Sequence, residues 1–332
     1  MVAPGSEELE RVVGAMLGTA RQDWEQGLAG QALLALGRLP LVRVLARDAV
    51  TRQRADGRLA DIDGGGLVNG AANLDAVDVV AAGTDGPAAA AARAADLQRR
   101  WLVTGCPRAD DGTLFHLAGS RQVWADTVHM VAPGWPTPAE RGGADLPVAV
   151  ADQLDGHHRR LWDPVSGLYA ARWDEDEARL VDPRHWGTGN GWVLTGTALA
   201  LHRCWREGPR ATAAIARSRA LLDAILAHRR ADGSFGDVLD DPGSFSDATA
   251  GLMVAWAVAT GVADGWLPVS RLEVSRALLS LAAKRVDDDG FVTGVCGSPR
   301  FDRPGTSAEA QAVFVLAHVA IASAQISLVQ AP

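Results

Sequence analysis

The chain has 332 residues, 48% of them apolar, and a formal net charge of −8. This is enough material for one large core, and the acidic balance excludes a nucleic-acid surface, which needs a basic patch. Three cysteines, Cys106, Cys204 and Cys296, fall at no metal-ligand or redox spacing, a usage that suits a reducing compartment.

The N-terminus, M-V-A-P-G-S-E-E-L-E, has neither a basic start nor an apolar run, so no signal peptide is expected and a cytoplasmic location is. From there, helical patterns of two alternating kinds fill the chain. Segments 7–20, 41–52, 87–102, 146–161, 210–229 and 270–286 carry Arg, Asp or Glu on one face and Leu, Val or Ala on the other. Segments 24–36, 74–82, 124–132, 190–205, 247–260 and 306–324 are apolar nearly all round. The first kind has one wet side, while the second must be covered on every side.

Strict alternation of the two kinds implies an inner ring of helices wrapped by an outer one. The fold class expected is therefore all-α, an (α/α)6 barrel spanning 1–332 as a single domain. Inner segments start roughly 50 to 65 residues apart, as six repeats of a helix pair require. The apolar stretch 310–329 is long enough for a membrane span, but Gln311, His318 and Gln325 within it favour a buried core helix, and no membrane partner is expected.

The connections repeat as well. D-G-R-L (56–59), D-G-T-L (111–114), S-G-L-Y (166–169), D-G-S-F (232–235) and D-D-G-F (288–291) each follow an outer segment. Asp-Gly before a large apolar residue is turn chemistry leading into a short extended piece. Long connections of this kind, with short β-hairpins, should gather at the end where the inner helices begin, and the cleft belongs there.

The polar exceptions of the inner ring sit at those starts: Glu25, Asn73, Asp75, Asp126, Asn190, Asp247, Ser307 and Glu309, with Trp24, Trp124, Trp186 and Trp192 beside them. Indoles stack on sugar faces, and two carboxyls can share acid and base duties. Asp75 and Asp126 open successive inner helices, which would make them neighbours and push one of their pKa values up. An Asp at a helix start is also a common cap. Position does not separate the two roles for Asp126, and it favours capping for Asp75 and Asp247. G-T-G-N-G (187–191) lacks the strand and Lys of a phosphate loop, and D-D-D-G (287–290) lacks further calcium ligands.

With these segments in view, the chain resembles the unsaturated rhamnogalacturonyl hydrolases of glycoside hydrolase family 105, relatives of the unsaturated glucuronyl hydrolases of family 88. The resemblance rests on W-E-Q-G (24–27), N-L-D (73–75), D-G-T-L-F-H (111–116), W-A-D-T-V-H-M (124–130), G-L-Y-A-A-R-W-D (167–174), W-G-T-G-N-G-W (186–192) and V-L-D-D-P (238–242), in order along the chain. It implies an (α/α)6 barrel that hydrates the C4–C5 double bond of an unsaturated uronyl residue and releases the neighbouring sugar. It further implies Asp126 as general acid and base and Asp75 as second acid. Trp24, His116, Trp124, Trp186, Thr188, Asn190, Trp192 and Arg172 would line the subsite of a small-molecule substrate. No metal and no organic cofactor are implied, and a monomer or homodimer is expected.

Two positions depart from the family pattern. Ala171 stands where the family has His, and Thr188 where it has Arg. Each lost charge-assisted contact to a uronate costs about 1.5–3 kcal/mol, and Arg172 and His185 are the neighbours able to substitute. The departures open a second reading, in which the acid chemistry serves a less charged substrate in specialised metabolism. A third reading is a non-catalytic sugar-binding protein, against which the two retained acids argue.

Overall fold

The computed structural model describes residues 7–59, 64–84, 86–134, 146–204, 207–298 and 300–330. Twelve helices follow one another there: α1 (Glu7–Thr19), α2 (Asp23–Ala35), α3 (Leu39–Thr51), α4 (Leu74–Ala81), α5 (Ala88–Arg100), α6 (Thr127–Met130), α7 (Leu146–Leu161), α8 (Gly187–Cys204), α9 (Pro209–Ala227), α10 (Ala248–Ala263), α11 (Leu272–Ala283) and α12 (Ala308–Gln330). Burial separates them into the two kinds the sequence announces. In α5 the buried positions Ala88, Ala91, Ala94, Ala95 and Gln98 recur every third or fourth residue, a single stripe. In α10 nearly every residue from Thr249 to Val262 is buried, so the helix is enclosed on all sides.

The even-numbered helices form a closed inner ring. α2 packs on α4, α6 on α8, α8 on α10 and α10 on α12, and α12 returns to α2. Between α4 and α6 the contact runs through the 3₁₀ turns Asn69–Asn73 and Ala132–Gly134. The odd-numbered helices lie outside: α1 on α12, α3 on α2 and α4, α5 on α4, α7 and α9 on α8, α11 on α10 and α12. This is the (α/α)6 barrel.

Small residues set the ring's spacing. A Cβ on Gly27 would stand 2.5 Å from that of Ala72, and one on Gly196 would stand 2.7 Å from the His129 backbone nitrogen. The 187–191 glycines act in the same way: Gly187 meets the Gly236 carbonyl, Gly189 the Trp186 ring and Gly191 the Met253 side chain. The motif is a packing device at the start of α8. Helix α12 is long and apolar enough to cross a membrane by composition, and residues 307–318 are buried within the protein.

The repeated connections are turns of one kind. Gly57, Gly112, Gly167, Gly233 and Gly290 all have positive φ, between 71° and 104°, the left-handed region that glycine enters without a Cβ penalty. In three of them the preceding Asp (Asp56, Asp111, Asp232) accepts the N–H two residues on, at 2.9–3.2 Å. The short strands lie in the connections: β1 (Gln122–Trp124), β2 (Trp162–Asp163), β3 (Leu168–Tyr169), β4 (Arg172–Asp174), β5 (Arg179–Asp182), β6 (Val295–Cys296) and β7 (Pro304–Gly305). β2 pairs with β3 and β6 with β7, while β1, β4 and β5 make one antiparallel sheet in the order β1-β4-β5.

The third inner segment differs from expectation. A helix over 124–132 is expected, but 122–124 is a strand and α6 has only four residues. The backbone of β1 is taken by β4, with Val123 opposite Trp173, and Pro133, which has no N–H to continue a helix, lies just beyond. Trp205 and Cys204's side chain lie outside what is described.

Candidate active site

At the mouth, strand pairing builds the first wall. Trp124 lies directly opposite Arg172 in the β1–β4 register, so their side chains share a face. The Arg172 guanidinium carbon sits 4.0 Å from the Trp124 ring centroid, a cation–π contact. His116 stacks on the same indole at 4.6 Å and 5°, and Trp124 Nε1 donates to Gln122 Oε1 at 3.1 Å. The backbone bond from His116 N to Gln122 O, 2.9 Å, fixes this arrangement.

A cavity of about 330 Å³ opens beside this wall, within the roughly 300–1,000 Å³ usual for small-molecule sites. Its lining includes Trp24, His116, Trp124, Asp126, Arg172, Trp186 and Trp192 among the expected residues. Asp126 holds the N-cap position of α6, yet its side chain makes no cap hydrogen bond. Its Oδ1 is buried with no hydrogen-bond partner among the described residues, and His116 Nδ1 lies 3.5 Å away. That nitrogen is 2.8 Å from Thr127 Oγ1. Burial lowers the His116 pKa against the pull of Asp126, so a neutral imidazole faces the carboxyl.

Three expected residues do not reach the cavity. Asp75 lies in the first turn of α4, but its carboxylate accepts from Arg203 of α8 at 2.6 Å and only 8% of its side chain is exposed. The 3₁₀ turn Asn69–Asn73 extends α4 backwards, so Asn69 takes the place at the mouth. Thr188 is fully buried and donates to Asp247 Oδ2 at 2.7 Å. Asn190 clamps Tyr169, accepting its N–H at 2.8 Å and donating to its carbonyl at 2.9 Å. These two residues hold the mouth together from behind. Asp247 is a cap: its Oδ1 accepts Thr249 N at 2.9 Å and Cys296 N at 3.2 Å.

The structure adds residues that patterning did not single out: Asp23, Asn69, Asp182, Arg184, Asp237, Arg300 and Phe301. Apart from Asp23, the first residue of α2, they come from turns and strands where no helical period marks them. Arg184 grips Asp182 through two contacts, 2.9 and 2.6 Å, which hold the Asp182 carboxyl below its usual range. Arg172 reaches Asp182 only at 4.0 Å. His185 pairs with Asp240 at 2.7 Å instead and is not part of the cavity lining.

Two lining carboxyls are pushed the other way. Burial, reinforced by Asp247, raises Asp237. Burial, with Glu25, Asp247 and Asp126 adding repulsion, raises Glu309 well above the usual carboxylate range. The cavity thus holds two acids with a buried, unpartnered oxygen, Asp126 and Asp237, two carboxyls with raised pKa, Asp237 and Glu309, and three arginines. Among the described residues no cluster of three or more His, Cys, Asp or Glu could hold a metal ion.

An inner helical ring whose mouth gathers indoles, an acid and guanidinium groups defines a carbohydrate-active barrel. The Glycosyl Hydrolase Family 88 model matches residues 85–317, and the chain belongs to that family. It is 27% identical over 208 residues to the unsaturated rhamnogalacturonyl hydrolase YesR of Bacillus subtilis (strain 168), covering 59% of this chain and 57% of that one. An unsaturated 3S-rhamnoglycuronyl hydrolase of Alteromonas sp. (strain LOR) is 26% identical over 196 residues, 54% of this chain and 46% of that one. The chain thus spans about half the length of these relatives.

The fold likeness covers more. A possible family 105 member from Salmonella enterica superposes with a TM-score of 0.82 at 15% identity, over 98% of this chain and 96% of that one. The unsaturated glucuronyl hydrolase of Bacillus sp. GL1 gives 0.71 at 12% identity, over 93% of each.

Proposed function

We propose that this protein hydrates the C4–C5 double bond of an unsaturated uronyl residue at the end of an oligosaccharide, with Asp126 as general acid and base. Protonated Asp126 delivers its proton to C4, leaving positive charge shared by C5 and the ring oxygen. Water then adds to C5 and returns a proton to the carboxylate. The hemiketal so formed opens and releases the neighbouring sugar.

The observation that carries this reading is the buried, unpartnered Oδ1 of Asp126 in a cavity walled by Trp124 and His116. A polar atom left without a partner in a buried place is costly, and a substrate or its attacking water supplies what is missing. His116, its Nδ1 3.5 Å away and bonded to Thr127 Oγ1, faces the carboxyl without neutralising it. Arg172 and Arg300 line the same cavity and favour an anionic sugar over a neutral one, while Arg184 is tied to Asp182. Family membership and the activities named for the two relatives support the same reaction class. Asp75, held by Arg203, has no part in it.

The test is the ultraviolet absorbance of the conjugated double bond in unsaturated galacturonyl and glucuronyl disaccharides. The protein should bleach it, and Asp126→Asn should not. A panel of such disaccharides left untouched by the wild-type protein would overturn the reading.

A further inference from the structure

Asp237 lies in the connection that leads toward α10, just ahead of V-L-D-D-P, and the residue is 7% exposed while lining the cavity. Its backbone is fixed from both sides: Asp237 N donates to Phe245 O at 2.8 Å, and its carbonyl accepts Gly187 N at 2.7 Å. The Trp186 indole and the Cys296 thiol stand beside the carboxyl and favour its charged form. Its Oδ1 nevertheless remains buried with no hydrogen-bond partner among the described residues. Only Asp126 and Asp237 among the described cavity-lining carboxyls show this combination.

We propose that Asp237 is a further substrate-contacting residue, whose carboxylic acid group donates a hydrogen bond to an oxygen of the bound uronyl sugar. This rests on the uronyl reading of the same cavity. The role calls for a protonated carboxyl, because a carboxylate can only accept and would repel an anionic sugar. The surroundings push in that direction: burial, then the nearby Asp247, raises the carboxyl's pKa against the Cys296 thiol, Arg184 and the Trp186 indole. The thiol itself stays protonated, because burial and the two aspartates raise it. Glu309, also raised, lines the cavity from α12.

The experiment compares Asp237→Asn with Asp237→Ala in two readouts. One is turnover of unsaturated disaccharides across pH, and the other is quenching of the cavity tryptophans by galacturonate. Asn keeps a neutral donor, so its KM and galacturonate affinity should stay within about threefold of wild type, whereas Ala should weaken both about tenfold. Wild-type affinity should fall as pH rises through the raised pKa of Asp237, and that alkaline limb should be missing in Asp237→Asn.

Loss of activity in Asp237→Asn comparable to that in Asp126→Asn would overturn the proposal, since it would mean the ionised form is needed. An Ala variant that binds galacturonate as wild type does would overturn it too. If Ala fails to fold, the pH profile of the Asn variant decides: an unchanged alkaline limb counts against the proposal, and its loss supports it. If no disaccharide is turned over, the hydration reading fails, and galacturonate affinity still judges Asp237. No galacturonate binding to wild type would sink both.

Discussion

Asp75 and Asp126 begin consecutive inner helices, and their fates differ. Asp126 sits ahead of a four-residue helix, at the end of a strand that carries it to the cavity edge, and keeps an oxygen free of partners. Asp75 follows a 3₁₀ turn that moves the helix start one turn outward, and it meets Arg203 in the wall of the barrel. The start of a helix and the mouth of a barrel coincide only where nothing extends the helix backwards. A carboxylate one turn too deep then becomes a structural ion pair.

The pair can be split experimentally. Asp126→Asn should lose about 100- to 10,000-fold in turnover, the range for removing a general acid–base group, while its melting temperature stays close to wild type. Asp75→Asn should do the reverse. Removing one partner of a buried ion pair costs about 3–5 kcal/mol, which thermal or denaturant unfolding would read, while kcat of the folded fraction stays near wild type. Equal losses of turnover in both variants would dissolve the contrast and restore an acid pair.

Smaller effects sharpen the same line between mouth and wall. Thr188→Val removes the hydroxyl that Asp247 accepts and should cost about 1–3 kcal/mol of stability with KM unchanged, because Thr188 lies behind the cavity. The weakest effect concerns Glu309, whose pKa is raised in the folded protein by burial and three nearby acids. Below the unfolded pKa both states hold the proton and the group is neutral to stability. As pH rises past that value the unfolded chain ionises first, so stability falls until the folded pKa is passed. Glu309→Gln should therefore melt later than wild type at pH 8, with the difference vanishing near pH 4. A constant difference across pH would show that Glu309 is not held protonated.

The ring architecture was legible because it depends on periodicity: α10 and α5 differ in how many of their faces are apolar, and that difference is written in residue order. The Asp-Gly turns were legible because five glycines share one backbone requirement. The mouth was legible only in part. Trp124, His116 and Asp126 cluster within a short segment, so chain proximity stood in for spatial proximity. Asp237, Arg184 and Arg300 come from separate connections without a period, and only the fold brings them to one place. Thr188 and Asn190 follow the opposite pattern: their motif lies at the mouth in sequence, but packing at the start of α8 turns their side chains into hydrogen bonds with Asp247 and Tyr169.

The β1-β4-β5 sheet carries Trp124 and Arg172 on paired positions, whereas the inner ring is closed by the even-numbered helices and two 3₁₀ turns. This part of the cavity wall and the ring that carries it therefore come from different parts of the chain. A lineage could exchange the 172–182 ribbon and change which sugar it accepts while the toroid beneath stays as it was, which makes that ribbon the natural place to graft a new specificity.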